Sequence, residues 1–392
     1  MKRGWCPTLY DPMPTGDGLL VRVKPRGARL TATAMQHLAR ASLHFGNGIV
    51  EVTRRANLQV RGLTEATAPA FAAAMVSAGL ASPDAGAERR RNVIASPLAG
   101  DDPGCAADAA ALATAIEAVL ESEPSLPALP PKFGFSVDGG GILPMPDAAD
   151  IELRTDGIQH WIALGGAQTR CAPDATVAIV RELARIAGAQ RIRERSAEAL
   201  LAAVGLPADP VPPRAAEKIP IGFLRYSDGI HGAFGIGLPF GQTDAATLET
   251  LAGLAETFGN GTLRTTPWRA LLLGRVDAAD IPALTDAAGA AGLIVSQSDR
   301  RLRMAACIGS AGCASGTVRA RDDAAQLANA DWTGFLHVSG CAKGCAHSAA
   351  ASVTLVGDAG GYNLIRHGRA NAEPSVTALS RNAAAAWLRS VG

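Results

Sequence analysis

Nowhere in the 392 residues is there a run of about eighteen apolar side chains, the length that a membrane-crossing helix needs. The amino-terminal stretch MKRGWCPTLYDPMPTGDG begins basic but has no apolar centre of the kind a secretory signal carries. Neither sign of charge prevails, with 37 lysines and arginines against 36 aspartates and glutamates, so the chain has no field with which to gather a polyanion. Seven cysteines is an odd number for a disulfide framework, and a long chain of this kind favours metal ligation or free thiols. No G-x-G-x-x-G follows an apolar strand; GGG at 139–141 and GIGLPFG at 235–241 have the wrong spacing or setting for a dinucleotide. These absences predict a soluble protein of the cytoplasm, with neither nucleic acid nor membrane among its partners and no direct hydride transfer.

What is present is material for several cores. The chain is 48% hydrophobic and 19% charged, which excludes disorder, and its length suggests two to four domain-sized units. It also repeats itself at an offset of 213: residues 31–63 lie over 244–276, and Phe45-Gly46-Asn47-Gly48 matches Phe258-Gly259-Asn260-Gly261. Such a period is too long for a solenoid unit and predicts a duplicated domain pair about a pseudo-twofold axis. Each copy reads as strand, helix, strand, strand, helix. LLVRV (19–23) or AFGIG (233–237) is the first strand, Thr31 or Thr33 and Thr243 or Asp244 are the helix caps, and Met35, Leu38, Ala39 and Ser42 are the buried face. Gly46-Asn47-Gly48 offers residues that accept positive φ where the first helix stops. The pattern is α+β, half of a ferredoxin-like sheet.

Between the copies, residues 88–205 have a different character and end in a charged helix, VAIVRELARIAGAQRIRERSAEALLAAVG, followed by the proline-rich run PADPVPPRAAEKIP. The expected units are 1–82, 83–206, a linker over 207–220, 221–296 and 297–392.

Four of the cysteines form two close pairs: Cys307-x5-Cys313, then 27 residues, then Cys341-x3-Cys345. A thiolate quartet can hold a tetrahedral zinc or an iron-sulfur cluster. Zinc knuckles usually space their cysteines two to four residues apart, whereas a spacing of five reaches two corners of a larger cube. The small residues Gly309, Ala311, Gly312, Gly340, Ala342, Gly344 and Ala346 let backbone amides approach inorganic sulfide. Buried free thiols are the bland alternative. Cys6, Cys105 and Cys171 stand alone and read as core or surface residues, and His337 and His347, on either side of the second pair, read as structural.

The C-x5-C and C-x3-C pairs resemble the cluster motif of the sirohaem-dependent sulfite and nitrite reductases. VTRRANLQVRG (52–62) looks like their first arginine strand, RRNVIASPLAG (90–100) like their Arg-Asn-Val motif and LPPKF (129–133) like their lysine motif. The resemblance implies duplicated ferredoxin-like half domains with two iron-sulfur/haem-binding α/β domains, related by a pseudo-twofold axis. It implies a 4Fe-4S cluster on Cys307, Cys313, Cys341 and Cys345, and Arg55, Arg91 and Lys132 as catalytic residues on the open side of a tetrapyrrole pocket. The reductases carry a second lysine two residues after the first. Here that position is Gly134, which weakens the reading as a sulfite reductase.

Residues 3–23 and FGNGIVEVTRRANLQVRG (45–62) look closest to the precorrin-3B synthases of aerobic cobalamin biosynthesis. That resemblance implies hydroxylation of precorrin-3A at carbon 20 by dioxygen, with lactone formation. It also implies electrons from NADH through a separate reductase, and additional iron or sirohaem near the macrocycle. Arg54, Arg55, Arg61, Arg89, Arg90 and Arg91 supply forked donors suited to the macrocycle's carboxylates; of these Arg54 and Arg89 read as solvated and Arg55 and Arg91 as functional. A ferredoxin-dependent reductase with sirohaem, a non-catalytic iron-sulfur tetrapyrrole carrier and a zinc-stabilised structural protein are the alternatives.

Overall fold

The computed structural model describes residues 6–146, 149–212, 218–359 and 361–390. Residues 1–5 of the amino-terminal motif and 213–217 of the proline-rich run lie outside the described residues.

The duplication is exact in its helices. The 213-residue offset carries Ala32–Phe45 onto Ala245–Phe258 and Ala68–Ser77 onto Ile281–Ala290, residue for residue. Thr31 and Asp244 cap the first pair, each side chain accepting a backbone N–H three residues on. Of the three residues that end the first helix, Gly48 alone takes positive φ, 76°, with its counterpart Gly261 at 70°. Gly46 stays extended and is small for another reason: a β-carbon there would lie 2.4 Å from the carbonyl of Arg61.

The two copies are interlocked. Strand Arg29–Thr31, at the end of the first copy's opening loop, pairs with Thr262–Thr265 of the second, and its counterpart Gln242–Asp244 pairs with Ile49–Val52 of the first. Each copy's five-stranded sheet therefore contains one strand from the other copy. The helices Ala32–Phe45 and Ala245–Phe258 pack against each other. One continuous core joins Val21, Met35, Leu38 and Phe71 to Phe234, Leu248, Leu251 and Leu271. At about 1.5–3 kcal/mol for each buried large side chain, neither copy has a complete core without the other.

The remaining chain forms two α/β domains of matching topology. In the first, Val93–Ala95, Phe135–Asp138 and Ile151–Thr155 run parallel, and His160–Leu164 and Ala167–Cys171 follow antiparallel. In the second, Met304–Ala306, Leu336–Ser339 and Ala351–Asp358 run parallel, then Gly361–Gly368 and Val376–Leu379 antiparallel. The single charged helix expected after residue 176 is broken. Gly188, at φ 58°, ends Pro173–Ala187, and a short turn leads to a second helix, Ala197–Ala203. The head of the proline-rich run, Asp209–Pro210, is an edge strand against Ala167 and Gln168. Among the described residues no helix is long and apolar enough to cross a membrane.

Candidate functional site

Parallel strands present their carboxyl ends side by side, and two such ends carry the cysteines. Cys307 follows Met304–Ala306 directly, and Cys341 lies two residues beyond Leu336–Ser339. The Gly340 amide donates to Cys307 Sγ at 3.1 Å, and the Thr317 amide donates to the Gly340 carbonyl at 2.9 Å, so the two cysteine loops are tied together. The small residues serve this approach of backbone on backbone: a β-carbon on Gly340 would lie 2.8 Å from the Gly309 α-carbon, and one on Gly309 2.2 Å from the Val318 carbonyl. The Cys345 thiol is pushed up by burial and by Cys341, Cys307 and Cys313, so all four sulfurs share one field. Yet among the described residues no three His, Cys, Asp or Glu side chains converge at the spacing of one metal ion. Four thiols brought to one field are donors that either a zinc ion or an iron-sulfur cluster can use.

Two clefts meet beside Arg61, Ile308 and Cys345. One, of about 1040 Å³, has apolar walls at Met13, Pro14 and Ile308 and carries Cys313 and Lys343. The other, of about 320 Å³, is lined by Arg22, Arg54, Arg269 and Arg321 and by Cys307. Arg22 is engaged by Cys6 and Gln59, and Arg321 by Glu51 at 2.5 Å and by Gln242. Among the described residues no side-chain hydrogen bond or ion pair holds Arg54 or Arg269, although the field of Glu51 in the same cleft reaches Arg269. Burial, with Arg54 and Arg321 alongside, holds the Arg269 guanidinium below its usual value. Such a cluster of cations, only partly offset by Glu51, has the chemistry to take an anion.

The other arginines divide. Arg54, read as solvated, is exposed, and it lines the open cleft, while Arg55 is half-buried near Cys6, Arg191, Arg22 and Asp150. Arg91 does not face an open pocket: it is fully buried, donating to Glu88 at 2.7 Å and to the Leu80 carbonyl at 2.9 Å, with Glu117 at 3.9 Å. Its Nε and Nη2 are engaged there, and its buried Nη1 has no hydrogen-bond partner among the described residues. Arg61 is also committed, in a fork to Asp17 at 2.9 and 2.8 Å and to the Gly312 carbonyl at 3.0 Å. Arg90 donates to the Leu120 carbonyl, and Arg89 lies 3.6 Å from Asp11. Lys132 is exposed on the turn before Phe135–Asp138.

Gly134 is small for a local reason. A β-carbon there would lie 2.9 Å from Asn92 Nδ2, which donates to the Phe133 carbonyl, while Asn92 Oδ1 accepts from Asn57 Nδ2. Cys6, Cys105 and Cys171 are buried free thiols, Cys105 pushed up to about 11 by burial first and then by Asp102 and its neighbours. His337 is buried, lowered to about 4 by desolvation, and packs on His347 at 5.7 Å between ring centroids. The triple glycine 139–141 closes on Cys105 and Asp102 and forms no dinucleotide turn.

Sequence reasoning missed Arg269 and Arg321. A signal for the first existed: at the 213 offset Arg269 replaces Ala56, in the same loop between the same two strands as Arg54.

A duplicated, strand-exchanged half domain with two α/β partners and four thiols at the strand ends defines the nitrite/sulfite reductase superfamily. The family model of the nitrite/sulfite reductase ferredoxin-like half domain matches residues 11–78 and again 227–291, one match for each copy. The solved structure of the Mycobacterium tuberculosis NirA protein superposes with a TM-score of 0.67 over 95% of this chain and 79% of that one; at 18% identity it speaks for the fold alone. A ferredoxin–nitrite reductase of Synechococcus elongatus is 23% identical, covering 90% of this chain and 78% of that protein. A precorrin-3B synthase of a Sinorhizobium species is 33% identical, covering 96% of this chain and 85% of that protein. The chain belongs to the precorrin-3B synthase family.

Proposed function

We propose that the protein hydroxylates precorrin-3A at carbon 20 with dioxygen and closes a lactone from the neighbouring acetate. The observation that carries this reading is the pair Arg54 and Arg269, two guanidiniums that no side-chain hydrogen bond or ion pair holds among the described residues, in a cleft that also holds Cys307 and Cys345. A macrocycle fringed with acetates and propionates supplies the carboxylates these forks lack. The 33% identity to a precorrin-3B synthase along nearly the whole chain supports the same substrate.

In this reading Cys307, Cys313, Cys341 and Cys345 hold a 4Fe-4S cluster, which when bound supplies electrons singly. Arg54 and Arg269 fix the carboxylate rim of the macrocycle, and the apolar wall of Met13, Pro14 and Ile308 excludes water from its face. One atom of dioxygen enters the product and the other leaves as water, which takes two electrons and two protons. A separate reductase drawing on NADH supplies the electrons. Iron or sirohaem beside the macrocycle belongs to the same proposal, with no ligand named for it.

The test is an anaerobic absorbance titration of precorrin-3A into the reconstituted protein, followed by admission of air with an oxygen electrode. Saturable binding with oxygen uptake dependent on both substrate and reductant is the expected result. Binding without oxygen uptake would make the protein a carrier.

A further inference from the structure

The amino-terminal hairpin, Met13–Thr15 and Gly18–Val23, does more than edge the first sheet. Its tip lies on the loop between Cys307 and Cys313. The Gly16 amide donates to the Gly312 carbonyl at 3.1 Å, and a β-carbon on Gly16 would lie 2.9 Å from the Ala314 nitrogen. The same Gly312 carbonyl accepts from Arg61, whose guanidinium is gripped by Asp17 in two hydrogen bonds, while Thr15 donates to the same carboxylate at 2.7 Å. Burial alone would raise the Asp17 carboxyl, but its hydrogen bonds from Arg61 and Thr15 carry it below its usual value, so it is ionised and the pair is a true ion pair. A β-carbon on Gly312 would meet Arg61 Nη2 at 2.9 Å and the Asp17 carboxyl carbon at 3.0 Å, so both charges press on the residue next to Cys313. Arg61 also lines both clefts at Cys345. Two nearly buried opposite charges from the first half domain thus stand at the cysteine loop of the last domain, where solvent screens them little.

We infer that Asp17 and Arg61 form a positioning pair that sets the reduction potential of the cluster, Arg61 raising it and Asp17 lowering it. The inference rests on the reading of the four thiols as a cluster site. Reduction adds one electron to the cluster, and a fixed cation beside it stabilises the more negative state, while a fixed anion opposes it. Removal of either partner breaks the same bridge, and removal of Arg61 also takes the cation from Glu51, 3.6 Å away, but the two removals leave opposite net charges. An electrostatic role therefore predicts shifts of opposite sign, and a merely structural role does not.

The experiment is a dithionite titration followed by electron paramagnetic resonance on the full, reconstituted chain. Arg61→Met is expected to disfavour the reduced cluster by about tenfold, a shift of about 59 mV to more negative potential. Asp17→Asn is expected to move the potential the other way, and Arg61→Lys, which keeps the charge, to stay nearer the wild type than Arg61→Met does. Equal or unshifted potentials in Arg61→Met and Asp17→Asn, or shifts of one sign, overturn the inference while leaving the cluster reading intact. If Arg61→Met does not fold, an unshifted or lowered Asp17→Asn potential alone overturns it. A wild type that binds no iron and sulfide overturns the cluster reading and this inference with it.

Discussion

Ala56 and Arg269 hold the same place in the two copies of the half domain, 213 residues apart, and both adopt left-handed backbone, at φ 54° and 58°. That conformation is uncommon for a residue with a β-carbon, and its recurrence shows that the turn itself and not the side chain dictates it. Duplication preserved the turn and changed what it presents: a buried alanine in the first copy, a cation in a cleft in the second.

Because the turn accepts alanine in one copy, Arg269→Ala is expected to fold and keep its cluster absorbance. It removes a charge-assisted donor worth about 1.5–3 kcal/mol, so affinity for precorrin-3A falls by roughly ten- to hundredfold. Arg54→Ala has a similar effect, and absorbance titration of both variants checks it. Unchanged affinity in both would remove these arginines from the binding site.

Arg91 has a different expected signature. Arg91→Met leaves Glu88 buried without its partner, a loss on the order of 3–5 kcal/mol that calorimetry reads as a lower melting temperature. The loss belongs to stability and not to substrate binding. A variant that melts like the wild type but no longer binds tetrapyrrole would restore Arg91 to the site.

The neighbouring Glu117 makes that region sensitive to pH. Burial, opposed by Arg91, raises its carboxyl from 4.5 to about 7. A carboxyl that is harder to ionise when folded contributes stability fully at acid pH, and that contribution is lost as pH rises from its unfolded value through about 7. The melting temperature of Glu117→Gln is therefore expected to depend less on pH across that window than that of the wild type, as scans at several pH values will show.

Cys341→Ser is expected to abolish cluster absorbance and activity together, whereas Cys105→Ser, at a buried thiol in the other α/β domain, leaves both in place. Iron and sulfide analysis of the two purified variants separates the cases. A Cys341→Ser protein with full cluster content would contradict the assignment.

Much of the architecture was legible because duplication writes a fold twice. The buried face Met35, Leu38, Ala39 and Ser42 could be read against its copy, and the helix bounds agree to the residue. The exchanged strands were not legible, since three residues such as Arg29–Thr31 carry no periodic signal and their partner is more than 200 residues away. The cysteine pairs were visible as spacing alone. The arginines were not, because a guanidinium's role depends on what lies beside it: Arg91 meets Glu88, Arg61 meets Asp17, and Arg54 meets open space. Local sequence gives those three residues similar surroundings, and the tertiary fold separates them.

The most direct test of the central claim is mass spectrometry of the tetrapyrrole after anaerobic loading of the reconstituted protein with precorrin-3A and reductant, then admission of isotopically labelled dioxygen. The account predicts one labelled oxygen atom added to the macrocycle, with the label lost or reduced in Arg269→Ala. An unchanged macrocycle, with sulfite or nitrite reduced by the same preparation, would contradict it.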